Sequence, residues 1–184
     1  MNIRDFINRH SKKLIIGDYE YTRMEKSSHL YTNSDMYDTT KYWSVKVVDK
    51  TKESYGKIQN EIGGIPVTSL YQTFKDCTSL VEAPDLSNLT HIESMDSTFE
   101  NCFSLKKPPV IPESIQAMCY TFKNCVALEE KPTIPPLNRN WAPNNKGIFD
   151  GCFIEKTTAD KVLSNNEQLS VPSTADENNL LEEH

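Results

Sequence analysis

VTSLYQTFKDCTSL (67–80), IESMDSTFENCFSL (92–105) and IQAMCYTFKNCVAL (115–128) align without gaps, and their starts lie 25 and 23 residues apart. A shortened copy, GIFDGCF (147–153), follows an insertion, NRNWAPNNK (138–146), that breaks the rhythm. Self-similarity at this period marks a repeat array, in which each unit buries its apolar stripe only by stacking on its neighbours. In every copy an aliphatic residue, a Phe and a Cys stand at i, i+4 and i+7: Leu70, Phe74, Cys77; Met95, Phe99, Cys102; Met118, Phe122, Cys125. That spacing predicts one face of a short helical segment. Val67, Ile92 and Ile115 precede it by three positions, and Leu80, Leu105 and Leu128 follow six after each Phe. Stacking then sets Phe on Phe and Leu on Leu, with Phe74, Phe99, Phe122 and Phe149 inside.

Proline constrains the other side of each coil. LVEAPDL (80–86), LKKPPVI (105–111) and LEEKPTI (128–134) carry Pro84, Pro109 and Pro132 in one slot, where no coil can donate an N–H. The arcs are therefore expected to hold one short paired stretch and then a polyproline-like segment. Charge supports the same register. The residue after each Phe runs Lys75, Glu100, Lys123, and the slot two after each Leu runs Glu82, Lys107, Glu130. In both columns opposite signs become vertical neighbours, the favourable arrangement between adjacent strands.

The flanks read less sharply. YWSVKVV (42–48) alternates Trp43, Val45 and Val47 on one face, a strand signal. Ser54–Ile62 reads as a helix, with Tyr55, Ile58 and Ile62 on one stripe and Gly63 as its stop. Leu14–Tyr21 reads as a strand, Ser27–Lys41 as a polar loop, and residues 3–10 as a short helix. At the far end Thr157 or Thr158 caps a brief helix through Leu163, and the polar, acidic stretch from Asn165 onward is expected to be mobile. Trp141, in the insertion, is expected to cover the open end of the core, with contact to a ligand as the alternative.

The pattern V/I-x-x-L/M-x-x-T-F-x-x-C-x-x-L-x-x-x-P resembles the BspA-like leucine-rich repeats of bacteria, and the lead-in WSVKVVDKTKESYGKIQNEIGGIPVTSL is similar to the cap before such arrays. The likeness covers about residues 42–153. It implies an α/β fold: a right-handed leucine-rich-repeat solenoid of three full coils plus a degenerate fourth, behind an N-terminal α+β cap. The corresponding domains are a cap region (1–64), the solenoid (65–155), and a C-terminal cap helix with tail (156–184). The resemblance also suggests surface, adhesive or phage-associated recognition.

The 184 residues carry a net charge of −6 and no basic cluster, which argues against a nucleic-acid partner. No apolar run is long enough to span a bilayer. The N-terminus, MNIRDFINRHSKK, lacks the apolar core of a secretory signal. Two locations stay open: the cell surface or a virion, if a leader has been removed or export takes another route, and otherwise the cytoplasm.

Chemistry is sparse. Cys77, Cys102, Cys125 and Cys152 share one repeat slot and read as a buried thiol column; a structural disulfide is the alternative, and the short Cys-x-x-Cys spacings of a metal site are absent. Cys119 falls outside the column and is the candidate reactive thiol, or else a tolerated surface residue. His10, His29, His91 and His184 share no motif with an acid or nucleophile. Gly63-Gly64 is no phosphate loop and reads as helix stop and turn. No catalytic set, cofactor motif or metal cluster is assigned. The expectation is a non-catalytic, monomeric binding module for a protein or glycan, or, as the alternative, an intracellular interaction protein such as an immunity or regulatory protein. Its ligand face is expected on the arcs, at Glu82, Lys107 and Glu130 with Lys106 and Glu129 beside them, because repeated positions build extended surfaces.

Overall fold

Alternating apolar residues build the first part of the molecule. In the computed structural model, which describes residues 11–27, 39–137 and 145–153, Trp43 and Val45 are fully buried and Val47 nearly so. They lie on a strand as expected. Five strands form one mixed sheet: β1 (Lys13–Ile16), β2 (Tyr19–Ser27), β3 (Thr39–Val47), β4 (Glu61–Ile62) and β5 (Ile65–Ser69), in the order β1-β2-β3-β5-β4. β1, β2 and β3 run antiparallel, β3 and β5 run parallel, and β4 pairs antiparallel with β5. The chain divides into two units, Met1–Ile154 and Glu155–His184, and every described residue belongs to the first.

Glycine stands in the turns of two hairpins, β1-β2 and β4-β5. Ile16 pairs with Tyr19 across Gly17-Asp18, so the stretch expected as one strand is two. Ile62 pairs with Ile65 across Gly63 and Gly64, whose φ values are +62° and +75°. Two consecutive positive φ angles are the requirement of a type I′ hairpin turn, which matches the right-handed twist of its strands. Gly63-Gly64 thus closes a hairpin instead of stopping a helix. The expected helix over Ser54–Ile62 is corrected with it. Tyr55, Ile58 and Ile62 are buried, but along non-helical chain tied down by Gln59 N–H donating to Tyr21 Oη at 3.0 Å and Trp43 Nε1–H to the Ile62 carbonyl at 3.2 Å.

The repeats are corrected more deeply. No helix occurs among the described residues, so neither an α/β solenoid nor an α+β cap is present there; regular structure is confined to the five-stranded sheet. Each T-F-x-x-C copy is a pair of four-residue turns. Thr73 N–H returns to the Leu70 carbonyl at 3.1 Å and Cys77 N–H to the Phe74 carbonyl at 3.0 Å. The third position of each turn has positive φ: Gln72 and Asp76 (+56°, +65°), Ser97 and Asn101 (+54°, +64°), Tyr120 and Asn124 (+56°, +61°), then Gly147 and Gly151. This is where a type II turn demands left-handed backbone.

The reason lies between coils. A helix would use its N–H groups internally, whereas here alternate ones point to the next copy. Leu70, Gln72, Phe74 and Asp76 donate to the carbonyls of Ser94, Asp96, Thr98 and Glu100, and Met95, Ser97, Phe99 and Asn101 repeat this onto Ala117, Cys119, Thr121 and Lys123. The third copy continues from Tyr120, Phe122 and Asn124 onto Lys146, Ile148 and Asp150. Phe74, Phe99, Phe122 and Phe149 stack as expected, with centroids 5.2, 5.4 and 5.6 Å apart and rings within 6° of parallel.

The motif's polar letters follow from the same geometry. The carbonyls of Leu70 and Phe74 each accept a turn N–H and retain a lone pair in the core. Thr98 Oγ1 donates to Leu70 O at 2.8 Å and Cys102 Sγ to Phe74 O at 3.1 Å. Thr121 and Cys125 do the same to Met95 O and Phe99 O. Buried acceptors are costly to leave unpaired, so Thr and Cys are donors here, not merely small fillers. The expected helices at 3–10 and 157–163, the tail and Trp141 lie outside the described residues.

Candidate functional site

The arcs are laid down by backbone pairing. Val81 N–H donates to the Glu53 carbonyl, Lys106 N–H to Val81 O and Glu129 N–H to Lys106 O, each at 3.0 Å. Glu82 and Lys107 form a parallel bridge. This is the single short paired stretch expected before the prolines. The structure therefore brings Glu82, Lys106, Lys107, Glu129 and Glu130 together as one exposed row.

The two charge columns behave differently. Lys75 Nζ lies 2.8 Å from Glu100 and Lys123 Nζ 3.6 Å from it, with the Glu100 side chain 12% exposed. Burial pushes the Glu100 carboxyl up, but the Lys75 and Ser97 hydrogen bonds and the two ammonium charges hold it below the usual carboxylate range. Among the described residues, however, no ion pair joins Glu82, Lys107 and Glu130. Glu82 and Lys107 are vertical neighbours as expected, but without an ion pair between them. Their side chains stand out into water, where a surface pair gains little over hydration.

The column thiols are unoxidised and enclosed: Cys77, Cys102 and Cys125 are buried and Cys152 half-buried. Burial raises the thiol pKa in each, to about 12 for Cys125. Cys119 is half-buried, with its N–H donating to Asp96 Oδ1 at 2.7 Å. His91 is exposed; the other three histidines lie outside the described residues. Among the described residues no His, Cys, Asp or Glu cluster could hold a metal ion, and no helix is long and apolar enough to cross a membrane.

A second surface escaped the sequence reading. A groove of about 320 Å³ opens on the outward face of the sheet, where β2 and β3 meet β5 and the second coil. Its floor is a row of serines, one per rung: Ser44 pairs with Ser69 and Ser69 with Ser94, all in parallel register. Tyr42, Met24, Tyr71 and Glu93 also line it. Tyr71 is 47% exposed and is held at both ends. Its N–H donates to Ser69 Oγ at 3.2 Å, and its hydroxyl accepts from Gln72 Nε2 at 3.0 Å. Asp96 N–H similarly donates to Ser94 Oγ at 3.3 Å. The only trace in the sequence is Ser69 and Ser94 in one repeat slot; the third rung, Ser44, belongs to no repeat.

Comparison with known proteins finds no match to this chain, whether among family models, curated proteins or solved structures.

Proposed function

We propose that this protein is a non-catalytic binding module that recognises a protein or glycan, in the setting of a bacterial cell surface or a phage particle. The observation that carries the reading is the exposed row on the arcs, where Glu82, Lys106, Lys107, Glu129 and Glu130 ride on a shared backbone ladder without neutralising one another. The ladder pre-organises the backbone beneath the row, which lowers the ordering cost of presenting these side chains to a ligand. Its mixed sign suits a mixed polar surface better than a strongly charged ligand. The repeat's resemblance to BspA-like sequences adds support for a surface role.

A second reading, an intracellular interaction protein, is favoured by the thiol column. Cys102, Cys125 and Cys152 donate S–H hydrogen bonds to buried carbonyls. That role needs the reduced thiol, which reducing compartments preserve.

The test is to screen the purified chain, as a monomer, against glycan and protein arrays and to titrate the best ligand into Lys107→Glu. Affinity should fall at least about tenfold, roughly 1.4 kcal/mol, with the melting curve unchanged. A folded variant that binds as before removes the arcs from the reading. No ligand on either array removes the binding role itself.

A further inference from the structure

The groove on the sheet's outer face has a lining that selects among ligands. Two of its residues are tyrosines, side chains that offer an apolar ring face and a polar tip together. Ser44, Ser69 and Ser94 form its floor at the rung spacing of a parallel ladder, about 4.8 Å. Ser69 and Ser94 accept from the N–H groups of Tyr71 and Asp96, which leaves each hydroxyl its hydrogen to donate. The Tyr71 hydroxyl accepts from Gln72 and likewise keeps its proton. Among the described residues Glu93 is the one charged residue of the lining, so no cation there would hold an anionic ligand. The volume, about 320 Å³, falls at the small end of ligand sites.

We infer that this groove binds one or two rings of a neutral saccharide, with Tyr71 as the stacking platform and the Ser44–Ser69–Ser94 row meeting the sugar's hydroxyls. A pyranose presents an apolar C–H face to an aromatic ring and hydroxyls around its edge, which is the pairing this lining offers. A neutral ligand is preferred to an anionic one because the lining holds no cation among the described residues. The platform is pre-organised, since the Tyr71 backbone and hydroxyl are both anchored before a ligand arrives, which lowers the ordering cost of binding. The inference rests on the reading that the chain works by binding, but it uses a surface other than the arcs.

The full chain is applied to an array of neutral oligosaccharides, and the best binder is titrated into Tyr71→Ala, Tyr71→Phe, Lys107→Glu and, as the control, Glu113→Gln. Tetramethylammonium and a sulfated oligosaccharide are titrated alongside. Tyr71 is half exposed, so both of its variants should fold, and melting curves check this. Tyr71→Ala should weaken binding about tenfold, the scale of one aromatic contact. Tyr71→Phe keeps the ring and should stay within about threefold, and Glu113→Gln, at an exposed residue of neither surface, should bind as the parent does. Retention of no neutral saccharide overturns the inference, as does a saccharide that Tyr71→Ala binds undiminished. Preference for tetramethylammonium or the sulfated probe overturns it too. A saccharide lost in Lys107→Glu but kept in Tyr71→Ala leaves the arc reading standing and the groove without a role. A protein ligand on the arcs with no saccharide bound does the same.

Discussion

Replacing Phe99 by Ala strikes the centre of the repeat core. Phe99 is wholly buried, with the rings of Phe74 and Phe122 parallel to it at 5.2 and 5.4 Å. Burying a Phe side chain is worth roughly 1.5–3 kcal/mol, and each lost ring pair about 0.5–1.5 kcal/mol more. Those terms agree with the loss of about 3–5 kcal/mol typical of Phe→Ala in a core. For a chain of this length the melting temperature falls roughly 2–4 °C per kcal/mol, so a drop of about 6–20 °C is expected. Phe149 is the internal control, being half-buried with one described ring neighbour at 5.6 Å. Phe149→Ala should cost only about 1–2 kcal/mol. Both are measured by urea and thermal unfolding, with Phe99→Leu as a milder variant if Phe99→Ala fails to fold. A Phe99→Ala loss below about 1 kcal/mol, or one no larger than that of Phe149→Ala, would refute the stacked-core reasoning.

The remaining predictions address the turns, the thiols and the two surfaces. Asn101 sits at φ +64° and bridges Asp76 and Asn124 through its amide. Asn101→Ala should cost about 1–2 kcal/mol from left-handed strain, and Asn101→Gly distinctly less; equal costs in urea titrations would place the energy elsewhere. Native thiol titration should show at most about one fast group, Cys119, because burial keeps the column protonated; five fast thiols would contradict the enclosed column. The raised column pKa values also set a pH dependence. The unfolded thiols ionise near about 8.5 and the buried ones resist, so stability is complete below that pH and is lost as pH climbs toward about 12. Unfolding under reducing conditions at successive alkaline pH values checks the sign, and a rise in stability would refute it. Lys107→Glu and the Tyr71 variants separate the arc from the groove, as set out above.

Which side chains share a column was legible without any structure, because burial repeats with the coil and leaves its mark at fixed slots. The Phe stack, the thiol column, the Lys75–Glu100–Lys123 alternation and the single paired stretch of each arc all follow from that. The backbone conformation beneath those columns was not legible. Apolar residues at i, i+4 and i+7 fall on one face of a helix, but also on one side of two successive turns, so periodicity alone could not choose. One local signal was available: Asp76, Asn101, Asn124 and Gly151 occupy a single slot, and these residue types tolerate left-handed backbone. Gly63-Gly64 between Ile62 and Ile65 was a second, a hairpin signal read as a helix stop. Gln72, Ser97 and Tyr120 have no such preference. They are held at positive φ because the turns release alternate N–H groups to the neighbouring coil, and only the stacked array supplies the carbonyls that accept them. The groove has the same origin: Ser44 and Ser69, 25 residues apart, become neighbours only when β3 and β5 pair in parallel, a contact between distant segments that no local pattern encodes.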